Sequence, residues 1–350
     1  MTATNTENRS RHIPVRPEWL ATRKEAALEP ELPIIDPHHH LWDNASGVYL
    51  MPELLADLGA GHNIISTVFM ECRSMYRADG DPDMAPLGEV EFVNGVAAMS
   101  ASGAYGKTRV CEAIIGHANL TRGSRAKGVL EALMQVSGGR FRGIRYSAVW
   151  HPEPSARGSA VSAPEGLLAD KDFREGFACL APLGLTYDAW VYHTQLGELT
   201  ALARKFPDTT IITNHVGGAI GIGPYAGKRE EVLAEWRKGI AELAACPNVV
   251  MKIGGLGMRL FGFTFQNEAT APSSEQIAPA WRPYVEGCIE AFGPSRCMLE
   301  SNFPVDKGSC SYGVLWNAFK RISNGYSVDE RAALFRGTAA RVYRLKSESW

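Results

Sequence analysis

Short runs of β-branched and other apolar residues recur along the chain, and helical patterns follow most of them after a polar stretch. Eight runs are candidate strands, at residues 32–36, 63–71, 109–116, 140–149, 184–192, 209–215, 248–254 and 296–302. The intervening segments, such as "REEVLAEWRKGIAELAA" and "AWRPYVEGCIEAF", have the apolar spacing of helices. Strands that alternate with helices indicate parallel βαβ units. Eight such units predict an α/β fold, a (β/α)8 TIM barrel.

The same pattern predicts one barrel domain, residues 31–350, preceded by an arm. A doubly wound sheet is the alternative, but no G-x-G-x-x-G follows the first run to support it. Residues 1–30 are polar and rich in Pro and Arg, with one helical patch, "EWLATRKEAAL". We expect this N-terminal arm to lie on the barrel or on a neighbouring subunit, so a homodimer is possible. Of three long insertions, the one at roughly 254–280 could cover the site as a lid.

Composition narrows the classes of partner. The formal net charge of −2 gives no electrostatic reason to expect nucleic acid or an anionic membrane. No run of about 18 apolar residues could span a membrane, and the polar N-terminus lacks the apolar region of a secretory signal. Seven scattered cysteines favour reduced thiols. We therefore expect a cytoplasmic protein that acts on a small molecule, with no organic cofactor.

Polar side chains follow the predicted strands at their carboxyl ends. Because active sites of barrels lie at that end, these residues form the candidate site. They are His38 and His40, Glu71 and Arg73, His117, Arg145, His193, His215, Lys252 and Asn302.

The first run ends in three consecutive histidines, in "DPHHHLWD". Successive strand residues point to opposite faces, so His38 and His40 share one face while His39 points away. Two imidazoles spaced in this way can bind one divalent ion. The alternative is that they are ordinary hydrogen-bonding residues in a polar loop. His193 and His215 follow the fifth and sixth runs, and all four histidines converge only if the barrel forms.

Several segments together resemble the amidohydrolase-related proteins, in the branch that contains barrel lactonases and decarboxylases. "DPHHHLW" resembles the D-x-H-x-H-x-W opening of that family, and "FRGIR" resembles its fourth-strand arginine motif. "HTQLGEL" with "TTIITNHVGG" is similar to its fifth- and sixth-strand signature, and "RCMLESNFPVD" to its eighth-strand segment. The resemblance runs from about residue 33 to 345.

The resemblance implies a metal site made by His38, His40 and His193, and a catalytic position for His215. The ion would be Zn or Mn, but the branch also contains a lactonase that works without a metal, so both alternatives are open. The eighth-strand acid of the family falls on Asn302. A neutral amide cannot act as a general base and is a weaker metal ligand than a carboxylate.

Three carboxylates could replace that missing acid. Glu300 lies two residues before Asn302 on the same face, but it could instead pair with Lys252 or Arg145 inside the barrel. Asp306 could instead cap a turn. Glu71 is favoured because it ends the second run at the rim. His215 itself could be the base, since imidazole titrates near neutral pH. The predicted catalytic residues are His215, His193, Asn302 and Glu71.

Cationic side chains near the rim predict a substrate that carries a carboxylate. A guanidinium binds a carboxylate through two hydrogen bonds and so fixes its orientation. Arg145 is the best placed of these groups, and the alternative for it is an internal ion pair. The predicted substrate-binding residues are Arg145, Arg73, Lys252 and His117.

The residues and the resemblance together predict a hydrolase that opens a carboxylate-bearing lactone or a related cyclic ester by attack of an activated water. The first alternative is a metal-dependent, non-oxidative decarboxylase of an aromatic or muconate-like acid. The second is a non-catalytic barrel that binds an aromatic acid.

Overall fold

Eight parallel strands form one sheet whose neighbours follow chain order, as a barrel requires. The structure is a computed structural model that describes residues 12–346. Its strands are β1 (Pro33–His39), β2 (Trp42–Asn44), β3 (Gly47–Tyr49), β4 (Asn63–Met70), β5 (Arg109–Gly116), β6 (Phe141–Ser147), β7 (Thr186–Trp190), β8 (Ile211–Thr213), β9 (Val249–Ile253) and β10 (Cys297–Leu299). β2 and β3 form a separate antiparallel hairpin after β1, which the sequence pattern did not predict.

Helices cover the outside of the sheet. They are α1 (Pro17–Leu20), α2 (Met51–Leu58), α3 (Leu87–Ala101), α4 (Ala126–Val136), α5 (Lys171–Phe177), α6 (Leu196–Lys205), α7 (Arg229–Ala244), α8 (Ser274–Phe292), α9 (Tyr312–Ile322), α10 (Val328–Ala332) and α11 (Thr338–Tyr343). Some have clear start signals in the sequence: Ser273 and Gln276 form a capping box at the start of α8. Between residues 12 and 346, no helix combines the length and the apolar character that crossing a bilayer needs.

The first and last strands meet and close the barrel. The backbone N–H of Asn302 donates to the carbonyl of His38 at 2.9 Å, and that of His40 to the carbonyl of Phe303 at 2.8 Å. Below them, the buried carboxylate of Asp36 accepts hydrogen bonds from the N–H and the hydroxyl of Ser301 at 3.0 and 2.6 Å. The predicted (β/α)8 barrel is confirmed.

One apolar cluster fills part of the barrel interior. Ile35, Met70, Ile115, Ile212 and Met298 are all at most 1% exposed and pack together in a cluster that α11 completes. Because inward positions alternate along each strand, the residues two positions further on face the same interior nearer the carboxyl end. This alternation sets which polar side chains reach the site.

The N-terminal arm lies on the barrel's own surface where the structure describes it, and residues 1–11 lie outside the described residues. The predicted helical patch "EWLATRKEAAL" is helical only in α1, which ends at Leu20. The arm runs along the segment after β9: the indole N–H of Trp19 donates to the carbonyl of Glu268 at 2.9 Å, and the N–H of Ala271 donates to the hydroxyl of Thr22 at 2.9 Å. A contact of the arm with a second subunit stays a prediction.

Candidate active site

A pocket of about 540 Å³ opens at the carboxyl ends of the strands, where the polar residues of the sequence pattern gather. Seven of the predicted site residues line it: His40, Glu71, Arg73, His117, Arg145, His215 and Asn302. His38 lies beneath it, fully buried. Part of its cover comes from residues 159–164 after β6, while the segment predicted as a lid after β9 contributes Met258.

The carboxylate of Glu300 joins two histidines at the floor of the pocket. Its Oε2 lies 2.5 Å from Nδ1 of His38, and its Oε1 lies 2.6 Å from Nδ1 of His215. Burial opposes the charge of Glu300, but the two imidazoles beside it hold its pKa well below the usual range. The alternative considered from sequence, that Glu300 pairs with Lys252 or Arg145, is therefore wrong: its partners are the two site histidines.

The tautomer of His215 follows from this contact. A carboxylate only accepts hydrogen bonds, so Nδ1 of His215 carries the proton and Nε2 carries the lone pair. Burial lowers the pKa of His215 and the charge of Glu300 opposes that effect, with a net shift below the ordinary value. The ring is therefore neutral near pH 7, and its edge-to-face contact with Trp190 (centroids 4.7 Å apart) fixes it at the pocket wall.

Two consecutive glycines after β9 make room for this pair. A Cβ on Gly254 would lie 2.3 Å from Cγ of Glu300, and a Cβ on Gly255 would lie 2.4 Å from Nδ1 of His215. Gly255 also has φ +67°, a conformation that L side chains rarely adopt. His215 itself has a φ of +54° at the start of a short 3₁₀ turn, which is uncommon outside glycine and marks a functional site in many proteins.

His38 and His40 face each other through their Nε2 atoms, 3.3 Å apart. Nδ1 of His40 donates to the carbonyl of Met70 at 2.9 Å, so its Nε2 carries a lone pair. Nδ1 of His38 faces Glu300, which places a second lone pair on the Nε2 of His38. Two converging lone pairs fit a divalent cation, and their outer contacts are those that orient metal-bound histidines.

A further group of potential ligand atoms lies on the other side of the His38 ring. Nδ1 of His38 and Oε2 of Glu300 are both buried and in direct contact, 2.5 Å apart. Within residues 12–346, the group that brings three ligand atoms within 4.8 Å of one another is His38, His215 and Glu300. Nitrogen and carboxylate donors in this combination are typical of zinc sites.

His193 lies apart from this group. It does not line the pocket; its Nδ1 accepts a hydrogen bond from the N–H of Ile220, and its ring packs edge-to-face against Tyr225. The predicted metal trio of His38, His40 and His193 is therefore separated by the structure, which brings His215 and Glu300 to the first two histidines instead. β7 ends at Trp190, and His193 begins the 3₁₀ turn that follows the strand rather than continuing the strand itself.

Lys252 lies inside the barrel rather than at its rim. Its ammonium group is fully buried and pairs with Asp188 at 2.8 Å, and Asp188 also accepts a hydrogen bond from Tyr343 at 3.0 Å. Lys252 is not among the residues that line the pocket, so its predicted contact with substrate does not fit this position. A buried cation needs a close counter-charge, and Asp188 provides it.

Asn302 lines the pocket, as predicted. Its side-chain NH₂ donates to Oδ1 of Asp306 at 2.8 Å, and the N–H of Gly257 donates to Oδ2 of the same carboxyl at 2.8 Å. Burial raises the pKa of Asp306 to about 8, and these hydrogen bonds oppose the rise. Asp306 therefore orients the Asn302 amide and does not itself line the pocket.

The two pocket arginines differ in their contacts. Nε of Arg145 donates to Oε1 of Glu71 at 2.7 Å, and its Nη1 lies 3.2 Å from Nε2 of His38. Glu71, the carboxylate favoured from sequence, is thus held in an ion pair. Arg73 lies exposed at the pocket mouth, and the described residues offer it no ion pair. His117 donates to the carbonyl of Arg145 and packs against Tyr146.

Sequence reasoning considered Glu300 as a replacement for the missing acid, from its position two residues before Asn302, but favoured Glu71. It missed His12 of the arm, which lines the pocket. No pattern in the sequence distinguishes His12, because the fold alone brings the arm over the barrel.

A buried carboxyl group, Glu89, holds the loop that carries Arg73. Its Oε1 accepts the N–H groups of Cys72 and Ser74 at 3.0 and 2.8 Å. Burial, with the neighbouring charge of Glu71, raises its pKa from 4.5 to about 8. Between these two values the folded protein keeps a proton that the unfolded chain has lost, so this group makes stability fall as pH rises.

We expect Glu89→Gln to remove that dependence while keeping the two backbone contacts. The melting temperature of the variant should be close to that of the wild type at pH 5, should exceed it increasingly up to about pH 8, and should keep a constant lead above that pH. Thermal unfolding followed by circular dichroism measures both curves. Glu91→Gln, on the same helix but exposed, is the control and should show no such divergence. A constant difference between wild type and Glu89→Gln at all pH values would contradict the assignment.

The barrel and its histidine–carboxylate centre define a class of protein. The family model of the amidohydrolases matches residues 35–345, so the chain belongs to the amidohydrolase family. It is 36% identical over 338 residues to the uncharacterized protein y4mH of Sinorhizobium fredii, covering 90% of this chain and 99% of that one. It is also 26% identical over 323 residues to an L-fucono-1,5-lactonase of Burkholderia multivorans, covering 89% of this chain and 96% of the relative.

A solved structure has the same architecture. The crystal structure of an amidohydrolase from Burkholderia multivorans with bound zinc superposes with a TM-score of 0.68 at 25% identity. The match covers 89% of this chain and 99% of that one. The fold and the family are thus shared over nearly the whole barrel.

Proposed function

We propose that this protein is a lactone hydrolase, which opens the ring by attack of a water molecule activated at Glu300 and His215. The observation that carries the proposal is the 2.6 Å contact between Oε1 of Glu300 and Nδ1 of His215 at the pocket floor. Because Nδ1 of the neutral His215 ring faces the carboxylate, the basic Nε2 on the other side of the ring is free to accept a proton, as a general base requires.

In this proposal His215 takes the proton of the attacking water through Nε2, and Glu300 stabilises the imidazolium that forms. The attack forms a bond from the water oxygen to the acyl carbon, and collapse of the tetrahedral intermediate breaks the ring C–O bond. The proton then passes to the alkoxide, which leaves as the free hydroxyl of a hydroxy acid. The partly buried Arg145 guanidinium, beside His38, offers positive charge to the developing oxyanion.

We propose that the Nε2 atoms of His38 and His40 hold a divalent ion, Zn or Mn, while Glu300 orients the His38 ring through its contact with Nδ1. Such an ion supplies Lewis-acid activation of water and of the ester carbonyl. The paired lone pairs on the Nε2 atoms of His38 and His40 support this assignment, as does the zinc in the structure of the Burkholderia multivorans relative.

The purified protein should contain about one equivalent of zinc or manganese by elemental analysis. Treatment with a chelator until the metal is removed should lower the lactonase rate by at least ~10²-fold, and added metal should restore it. Replacing His38 by asparagine should lower the metal content. Full activity in a protein shown by elemental analysis to be metal-free would contradict the metal assignment and leave the Glu300–His215 pair as the whole centre.

The pocket favours a small polar lactone with an anionic substituent. Arg73 at the mouth has no ion pair within the described part of the chain, so it can bind a carboxylate of the substrate. His117 and Tyr146 add hydrogen-bonding groups on the same wall. The name of the lactonase relative, which specifies a 1,5-lactone of a sugar acid, supports a six-membered ring.

The test is a pH-stat assay with two groups of lactones, namely sugar 1,5-lactones including L-fucono-1,5-lactone, and carboxylated 2-pyrones. We expect acid release with at least one of them, and a loss of ~10²–10⁴-fold in kcat for His215→Asn. His62→Gln, which changes a buried histidine bonded to Gly313 and Lys320 outside the pocket, is the control. Carbon dioxide release from aromatic acids without lactone hydrolysis would favour the decarboxylase. Binding of such acids without turnover would favour the non-catalytic barrel.

A further inference from the structure

The pocket has a wall that comes from outside the barrel. His12 of the N-terminal arm lines the pocket and stacks on Trp42, with the rings 7° from parallel and their centroids 5.7 Å apart. Trp42 in turn stacks on His40, at 5.7 Å and 19°. A continuous stack of three rings thus runs from the arm to the histidine pair at the floor.

The arm is fixed where it delivers this ring. Ile13 is 6% exposed, and its carbonyl oxygen would lie 2.4 Å from a Cβ on Gly308, so the arm packs directly against backbone there. Further along, Arg16 donates to the carbonyl of Gln266, and Trp19 donates to that of Glu268. Anchors on the segment after β9 hold the arm, so His12 has a defined position over the pocket.

The charge state of His12 suits recognition of a neutral polar group. Burial, with the nearby charge of Arg145, lowers its pKa below the ordinary value of 6.5. A neutral imidazole offers one donor and one acceptor. A hydroxyl group or the ring oxygen of a polar lactone can pair with one such ring nitrogen.

We propose that His12 is a substrate-binding residue, which the arm places over the pocket and which hydrogen-bonds to a hydroxyl or ring oxygen of the lactone while Trp42 packs beside it. This inference rests on the proposed lactonase function. If so, the arm is part of the active site and not only a segment packed on the barrel surface. Residues outside the eight βα units then contribute to substrate specificity.

The test compares three variants on a lactone that the wild type hydrolyses. His12→Phe keeps a ring on Trp42 but removes both nitrogens, and it should raise KM roughly tenfold with kcat within about threefold of the wild type. His12→Asn keeps a donor and an acceptor and should recover part of that loss. Glu18→Ala, an exposed change in the same arm, should leave both constants unchanged.

The outcomes separate the two proposals. A wild type that opens no lactone would remove the proposed function and this inference with it. A wild type that is active, with His12→Phe matching its KM, would overturn the inference alone and leave packing as the role of the ring. Loss of kcat with unchanged KM in His12→Phe would likewise overturn the binding role. The melting temperature of each variant is measured as well, to check that the protein is folded.

Discussion

Replacing Glu300 by glutamine is expected to lower kcat for lactone hydrolysis by about 10²–10⁴-fold, with little change in overall fold. The amide keeps the shape of the side chain but not the charge that faces Nδ1 of both His38 and His215. It cannot stabilise an imidazolium, and its NH₂ group would meet a ring nitrogen that already carries a proton. The measurement is the steady-state rate with the best lactone found for the wild type, together with the metal content.

Glu275→Gln is the matched control, since Glu275 is a mostly exposed carboxylate on α8 paired with Arg321. It should keep the wild-type rate. A Glu300→Gln protein that is folded, contains the wild-type amount of metal and retains more than about a tenth of the wild-type kcat would contradict the role given to Glu300.

Replacing Gly255 by alanine is expected to abolish most of the activity, because the new methyl group displaces the ring of His215. The new methyl group would lie 2.4 Å from Nδ1 of His215, in the space that the Glu300 contact occupies. His215 has to move away from Glu300, so its tautomer and position are both lost. We expect kcat to fall by at least ~10²-fold, and the free energy of unfolding to fall by ~1–3 kcal/mol because of the strained backbone.

Gly227 provides the control for strain without crowding. It also has a positive φ, +77°, but a Cβ there would meet nothing within 4 Å. Gly227→Ala should therefore show a similar backbone cost and unchanged kcat. If both variants had the wild-type kcat, the close packing of His215 against Gly255 would not be needed for the reaction.

The fold could be predicted from sequence because its signal is local. Each strand is a short apolar run and each helix has its own periodicity, so eight repeats of the two identify the barrel without knowledge of any contact. The alternation of side chains along a strand also predicted that His39 points away from His38 and His40. In the structure, Nε2 of His39 lies 2.8 Å from the hydroxyl oxygen of Thr67. Residues that end strands gathered around the pocket for the same reason.

The exact partners of the charged residues could not be predicted, because they depend on register between strands far apart in the chain. Glu300 and Lys252 both face the interior, but the stagger of neighbouring strands sets which layer each one reaches. In the folded barrel Lys252 meets Asp188, and Glu300 meets the histidines. His193 lies one turn beyond its strand, where periodicity no longer fixes direction. The approach of His12 depends on the tertiary path of the arm.

Hydrolysis in ¹⁸O-labelled water tests the central claim most directly. With the lactone that the wild type opens, mass spectrometry of the hydroxy acid should show one ¹⁸O atom, located in the carboxylate, with no carbon dioxide released. This result follows from attack of water on the acyl carbon at the Glu300–His215 centre. Label in the hydroxyl oxygen, or release of carbon dioxide in place of the hydroxy acid, would contradict the account.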